Sequence, residues 1–174
     1  YVVKFIKRQL FREAYEPDLE SIQDPQKRKN AEDLNARIKK AWALETGSRF
    51  VYTKPVVPFL HGEPGHGKTT ACKLAAEEFC KDVGMNFVHR PSNEYQPTKD
   101  DFIYIQMELA GENSSTTQGG LPSKSKTEDG QEYTHKVPLR QIQMVEEVGF
   151  GFLVYDDAKN ASPNIQNILM STME

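Results

Sequence analysis

The chain has 174 residues, 37% of them hydrophobic, which is enough to form one domain with a normal core. Its net charge of −3 excludes a wholesale basic coat of the kind that binds nucleic acid, and no apolar run approaches the ~20 residues of a membrane span. Cys72 and Cys80 lie on one predicted helix, about 12 Å apart at 1.5 Å per residue, which is too far for a disulfide. We therefore expect reduced cysteines, a cytoplasmic protein and no membrane association.

Residues 1–50 are predicted to form a helical extension that packs on the core. The first helix, over 1–14, mixes apolar and basic side chains, and its basic side chains, Lys7 among them, are expected on the outer face. A second helix is expected to start at Asp24, whose side chain suits an N-cap, and to end before Gly47.

Residues 62–69, with the sequence GEPGHGKT, match the pattern G-x-x-x-x-G-K-[ST], which is typical of a loop that binds phosphate. A short apolar run at 56–60 precedes this glycine loop and predicts a buried parallel strand, and a helix over 68–83 is predicted to follow. In that context backbone N–H groups and the helix N-terminus face an anion, Lys68 reaches the β- and γ-phosphates, and the Thr69 hydroxyl binds Mg²⁺. The candidate nucleotide-binding residues are Gly62, Glu63, Pro64, Gly65, His66, Gly67, Lys68, Thr69 and Thr70.

The part of the chain that follows contains one clear strand and one long polar segment. Residues 101–106 are rich in β-branched and aromatic side chains and predict a strand, whereas 86–88 fits either a brief strand or a loop. Residues 111–134 are rich in Gly, Ser and Thr and predict a loop without regular structure. This loop is either a surface excursion or a segment that faces a substrate or another subunit. A helix is predicted over 138–148.

A second strong pattern lies at 151–157, where a continuous apolar strand ends in Asp156 and Asp157. In an α/β sheet, ligands bind beyond the carboxyl ends of the strands. We therefore expect Asp156 to bind Mg²⁺, directly or through water, and Asp157 to polarise the attacking water. Lys68 and Asp157 are thus the candidate catalytic residues, and Thr69 and Asp156 are the candidate metal ligands.

These two patterns resemble the Walker A and Walker B segments of the AAA+ ATPases. The Pro-Gly pair inside the glycine loop is frequent in that family. The double aspartate at 156–157, followed by the start of a helix, is similar to the Walker B segment of the MoxR-type members. Residues 119–122, with the sequence GGLP, are similar to a G-L-P stretch that such ATPases carry before Walker B. The resemblance covers residues 54–174.

The resemblance implies a P-loop NTPase core over residues 51–174, which is an α/β domain of three layers with a mostly parallel sheet. It implies ATP and Mg²⁺ as cofactors, ATP hydrolysis, and a ring, usually a hexamer of identical subunits, that remodels a macromolecular partner, with protein favoured over nucleic acid. In that family the sensor residues and the arginine finger follow Walker B. We therefore expect a fragment of a longer protein, incomplete at its C-terminus, and poor hydrolysis in isolation, because an arginine finger is worth ~10³–10⁵ in rate.

One position departs from the family pattern, because the second Walker B acid is usually Glu and Asp157 is one methylene shorter. Since a displacement of about 1 Å can cost ~10²-fold in rate, slow hydrolysis is a real alternative. A nucleotide-dependent structural subunit with little turnover therefore stays open. So does a nucleic-acid-handling AAA+ ATPase, such as a helicase loader or translocase, for which Lys124, Lys126 and Arg140 are too few basic residues to decide.

Overall fold

The structure, a computed structural model, describes residues 1–63, 65–109, 121–126, 131–137, 140–148, 150–163 and 166. Every structural statement below concerns these residues. Their helices are α1 (Val2–Glu13), α2 (Pro25–Thr46), α3 (Lys68–Val83) and α4 (Arg140–Val148), and their strands are β1 (Asn86–His89), β2 (Asp101–Glu108), β3 (Leu121–Lys126), β4 (Glu132–Val137) and β5 (Gly151–Asp156). Within this part of the chain, no helix combines the length and the apolar character needed to cross a membrane.

Helix α2 begins and ends where the sequence predicts. The Asp24 carboxylate accepts hydrogen bonds from the backbone N–H groups of Gln26 at 2.8 Å and Lys27 at 3.1 Å, which satisfies two of the free donors of α2. At the other end, Gly47 adopts the left-handed conformation, with φ of 66°, and closes the helix. The expected cap and the expected terminator of α2 are therefore confirmed.

Aromatic side chains join the N-terminal helices to α3. The Phe11 ring of α1 meets Trp42 of α2 at 5.8 Å and Phe79 of α3 at 5.1 Å, both edge to face. Phe79 also contacts Phe102 of β2, at 5.7 Å between ring centroids. Such edge-to-face pairs add to the burial of large apolar surfaces. One continuous apolar cluster thus extends from α1 and α2 through α3 to the sheet.

Lys7 corrects the expectation that the basic side chains of α1 lie on its outer face. It is 6% exposed, and its Nζ lies 2.6 Å from Asp82, 3.1 Å from Glu45 and 3.7 Å from Glu78. Burial acts to lower the pKa of Lys7, but hydrogen bonds and charge from Asp82 and Glu45 outweigh it and raise the pKa above its ordinary value. The ammonium group therefore stays charged and links α1, α2 and α3. The helical pattern missed this because burial of a lysine depends on acids from other elements.

The sheet that organises the domain has three parallel strands in the order β1-β2-β5. β2 lies in the centre and is buried along most of its length. Alternate residues of β2 face opposite sides: Phe102 and Tyr104 join the cluster of α3, whereas Ile103 and Ile105 pack with Met144 of α4. The domain is therefore α/β, with a parallel sheet that carries helices on both faces. The predicted strands at 101–106 and 151–157 and the predicted helix over 68–83 are confirmed, and 86–89 is a strand.

The buried strand predicted at 56–60 is wrong. Residues 51–63 contain no strand, and Val56, Val57 and Phe59 are 56%, 63% and 72% exposed. Pro55 and Pro58 explain the failure, because a proline has no N–H to donate to a ladder of backbone hydrogen bonds. The apolar run therefore has no regular secondary structure, and its last residue, Leu60, packs near Phe152 and Val154 of β5.

The prediction of a loop without regular structure over 111–134 is also wrong, for those of its residues that the structure describes. β3 and β4 form an antiparallel pair, with Lys124 opposite Thr134 and Lys126 opposite Glu132. Most residues of these two strands are polar, and the first strand, LPSKSK, lacks the alternation of apolar and polar residues that usually reveals a strand. The glycine pair at 119–120 of the GGLP stretch lies outside the described residues, and the stretch continues into the start of β3. The first two residues of the helix predicted over 138–148, Pro138 and Leu139, also lie outside them.

Candidate nucleotide and metal site

The site forms at the carboxyl edge of the parallel sheet, where β5 ends at Asp156. The Thr69 hydroxyl, in the first turn of α3, donates a hydrogen bond of 2.6 Å to the Asp156 carboxylate, although the two residues are 87 positions apart. The parallel arrangement of the sheet explains the encounter, because it brings strand ends and helix starts to one edge. The two candidate metal ligands predicted from separate stretches of sequence are therefore neighbours.

Asp156 also receives hydrogen bonds from two other groups. The Gln106 side-chain amide donates to Oδ2 at 3.2 Å, which is the oxygen that Thr69 contacts, and the Asp157 backbone N–H donates to Oδ1 at 3.0 Å. Sequence reasoning missed Gln106. The signal was present, because Gln106 is a polar residue inside the otherwise apolar run of β2.

The loop that precedes Thr69 has the backbone shape that its glycines predict. Gly65 and Gly67 adopt left-handed conformations, with φ of 81° and 73°. This region is costly for residues with a Cβ but open to glycine. Gly67 is the N-cap of α3 and accepts the first helical hydrogen bond, from the Ala71 N–H at 2.8 Å. The first N–H groups of α3 are consequently available at the helix N-terminus for an anion.

Lys68 folds back on the loop that carries it. Its Nζ donates to the carbonyl oxygens of Gly62 at 3.0 Å and Glu63 at 2.8 Å. The ammonium group therefore has neutral acceptors and no carboxylate partner among the described residues. A phosphate placed in the glycine loop offers a stronger, charge-assisted acceptor than these two carbonyls.

The remaining predicted nucleotide-binding residues lie at the surface of the loop. His66 and Glu63 face each other loosely, with 3.9 Å between imidazole Nε2 and a carboxylate oxygen, and both side chains are largely exposed. Thr70 is exposed on α3. Pro64 lies outside the described residues. Among the predicted nucleotide-binding residues that the structure describes, Lys68 and Thr69 thus make clear side-chain hydrogen bonds within the site.

Asp157 differs from Asp156 in both conformation and surroundings. It adopts a left-handed conformation, with φ of 53° and ψ of 34°, and begins the 3₁₀ turn Ala158–Asn160. Asp tolerates this region better than most residues that carry a Cβ. Its side chain is exposed and makes no capping bond to the turn. Asp156 is therefore held in place by neighbouring groups, whereas the Asp157 carboxylate faces water.

A cavity of about 150 Å³ adjoins Asp156 and Asp157, and residues 57–60 and β5 line it. Lys68, Thr69 and Asp156 form its polar end, and Cys72 contributes to its wall. Burial raises the pKa of the Cys72 thiol to about 11, so the thiol is neutral near pH 7 and is not a nucleophile. Cys72 and Cys80 are both free and buried, as the sequence predicts.

The residues at this edge fit a Mg²⁺ ion that is shared with phosphate. A hydroxyl and a carboxylate are the oxygen ligands that Mg²⁺ prefers. All three hydrogen-bond donors around Asp156 are neutral, so its negative charge has no cationic partner among the described residues. The same part of the chain holds no group of three or more His, Cys, Asp or Glu side chains that could hold a metal. Mg²⁺ usually binds one or two protein carboxylates together with substrate phosphates.

Comparison of the chain with protein-family models, with curated proteins and with solved structures found no match in any of the three. The likeness to AAA+ ATPases therefore depends on the motif residues alone. The chemistry of the site is interpreted from its own geometry.

Proposed function

We propose that this chain is a P-loop NTPase domain that binds ATP with Mg²⁺ at the glycine loop and hydrolyses it. The observation that carries the proposal is the 2.6 Å hydrogen bond between Thr69 and Asp156, two residues brought together across 87 positions. A turn that merely joins two elements has no need of a lysine, a hydroxyl and a carboxylate at one sheet edge.

Binding depends on groups that are already at the edge of the sheet. Backbone N–H groups of the glycine loop and of the N-terminus of α3 donate hydrogen bonds to the phosphates, and the positive end of the helix dipole lies behind them. Lys68 exchanges its two carbonyl partners for the β- and γ-phosphate oxygens. Thr69 and Asp156 hold Mg²⁺, which when bound neutralises charge on the phosphates.

Hydrolysis requires a base for the attacking water, and we assign this role to Asp157. Its exposed carboxylate follows directly after Asp156, and it takes the proton of the water as the bond to the γ-phosphorus forms and the bond to the β–γ bridging oxygen breaks. The proposal includes the ring of identical subunits and the remodelling of a protein partner that the AAA+ likeness implies.

A second candidate function is a structural subunit that binds ATP to assemble but hydrolyses it slowly. The exposure of Asp157 and the shortness of its side chain favour this candidate. A base that water surrounds and that nothing orients contributes less to the rate than one held in position.

Steady-state ATP turnover of the full-length assembled protein, at saturating Mg²⁺, separates the two candidates. Asp157→Asn is expected to lower turnover by about 10²–10⁴-fold, the usual contribution of a general base, with ATP affinity unchanged. Asp157→Glu, which restores the length usual in the family, is expected to keep or raise turnover. If Asp157→Asn turns over ATP as fast as the unmodified protein, Asp157 is not the base. Slow turnover by the unmodified protein itself favours the structural-subunit function.

A further inference from the structure

Gln106 is a polar residue within the apolar stretch of β2 that extends from Phe102 to Met107. Its neighbours along β2, Ile105 and Met107, are 2% and 7% exposed. A half-buried amide at this place requires hydrogen-bond partners, because an unsatisfied polar group costs free energy on burial. Its Nε2 has such a partner in the Asp156 carboxylate of the neighbouring strand, at 3.2 Å.

The alternation of β2 explains why Gln106 reaches this carboxylate. Gln106 lies on the same side of the sheet as Phe102 and Tyr104, which face α3. It pairs in register with Val154, two residues before Asp156, so the amide extends along the sheet toward the carboxyl edge. The geometry follows from the strand, and it does not depend on a loop.

Three donors hold Asp156, and they come from different parts of the fold. The Asp157 N–H belongs to the residue directly after Asp156, at the end of β5, and the Thr69 hydroxyl belongs to the first turn of α3, next to the glycine loop. Gln106 is the contact from the central strand. It shares Oδ2 with Thr69, so the two donors together limit rotation of the carboxylate.

We propose that Gln106 is a positioning residue for Mg²⁺ binding, which holds the Asp156 carboxylate in the orientation that the metal requires. This inference rests on the proposed function, since it concerns the same site. Partners that orient a metal ligand in this way typically contribute about 10–100-fold to metal affinity. Gln106 contacts no phosphate in this role, so its effect appears only when the cation is present.

The test compares ATP affinity in EDTA with ATP affinity in Mg²⁺, by titration calorimetry on the whole chain. Gln106→Met keeps the length of the side chain and removes the donor. We expect its affinity in EDTA to match the unmodified chain, and its Mg²⁺-dependent gain to fall by about 10-fold or more. Gln106→Glu, which is close in shape but does not donate when ionised, is expected to lose the gain as well at pH 8.

Met107→Ala serves as the matched control, because it loosens the same strand on the opposite face, against Met144. It is expected to lower stability while keeping the Mg²⁺-dependent gain. Equal gains in the unmodified chain and in both Gln106 variants overturn the positioning role, and so does a gain lost equally in Met107→Ala. If the unmodified chain binds no ATP under either condition, the proposed function itself fails, which is a distinguishable result.

Discussion

The Asp156 carboxylate shows how much of a site can depend on one residue. It accepts hydrogen bonds from the central strand, from the first turn of α3 and from the peptide group that follows it. These donors are neutral, so no cationic side chain among the described residues is bound to the carboxylate. The neighbouring Asp157 has the same side chain but an exposed position and a left-handed backbone, which suits contact with water. Two adjacent aspartates thus acquire different chemistry from their surroundings.

Lys68→Ala is expected to weaken ATP binding without unfolding the domain. The ammonium group bonds only to two carbonyls of its own loop among the described residues, so its removal leaves no buried charge behind. Hydrogen bonds to charged groups contribute about 1.5–3 kcal/mol, which corresponds to roughly 10–100-fold in affinity. Titration calorimetry measures the loss, with circular dichroism as the check on folding. Undiminished affinity in a folded Lys68→Ala variant contradicts the placement of the phosphates.

Gly67→Ala tests whether the left-handed backbone of the glycine loop is needed for ATP binding as well as for stability. Gly67 has φ of 73°, and a Cβ added there meets nothing within 4 Å, so the expected cost is strain of about 1–2 kcal/mol. Gly47→Ala is the matched control, because Gly47 has φ of 66° and equally open space at the end of α2. Urea unfolding should give similar losses for both variants.

ATP affinity should distinguish these two glycine variants. Only Gly67→Ala is expected to bind ATP more weakly, because its new methyl group lies beside the anion site and the strained turn directs the N–H groups. If Gly47→Ala loses the same affinity, the effect is general destabilisation and the glycine loop has no special role.

At the scale of elements, Asp101 fixes the start of the central strand. It is 1% exposed, and its carboxylate accepts from the Thr98 N–H at 2.7 Å, the Tyr95 hydroxyl at 2.9 Å and the Asn86 amide at 3.0 Å. Burial acts to raise the pKa of Asp101, but these hydrogen bonds outweigh it and lower the pKa below its ordinary value. The loop before β2 and the start of β1 are thereby tied to one charged group.

Asp101→Asn is expected to destabilise the domain by about 1–3 kcal/mol at pH 7, because an amide cannot accept all three bonds. A carboxyl with a lowered folded pKa contributes stability above its unfolded pKa, near 3.8, and that contribution is lost as the pH falls through the folded pKa. The difference between the two chains should therefore shrink below pH 3.8. Urea unfolding from pH 7 to pH 3 measures it, and a gap that stays constant or widens in acid contradicts the role assigned to the charge.

The sequence predicts elements well where local signals agree with tertiary structure. Helix α2 has an Asp cap and a Gly terminator, and α3 follows its glycine loop, so both are visible from local patterns. The run at 56–60 is apolar enough for a strand, but Pro58 and the preceding Pro55 have no N–H group to donate to the backbone hydrogen bonds of a sheet. The β3-β4 hairpin is mostly polar, and β3 lacks the alternation that would reveal a strand. The burial of Lys7 and the role of the half-buried Gln106 were missed because their partners come from distant elements.

At the scale of the whole molecule, the parallel sheet brings two motifs that are far apart in the sequence together at one site. Its three strands end toward the same edge, and α3 begins there. The pairing of the glycine loop with the double aspartate could be anticipated from general rules for α/β sheets. The contribution of the central strand through Gln106 could not, because it depends on the register of β2 against β5. Ring assembly and the macromolecular partner are proposals that depend on the likeness of the motif residues to AAA+ ATPases.

The affinity of the whole chain for ATP, measured by calorimetry with Mg²⁺ and with EDTA, tests the central claim most directly. We predict tighter binding with Mg²⁺ in the unmodified chain and in Asp18→Asn, a control at an exposed aspartate of the α1–α2 connection. Asp156→Asn is predicted to lose most of that Mg²⁺-dependent gain while keeping its affinity in EDTA. An Asp156→Asn chain that keeps the full gain would contradict the account, because Thr69 and Asp156 would then not hold the metal together.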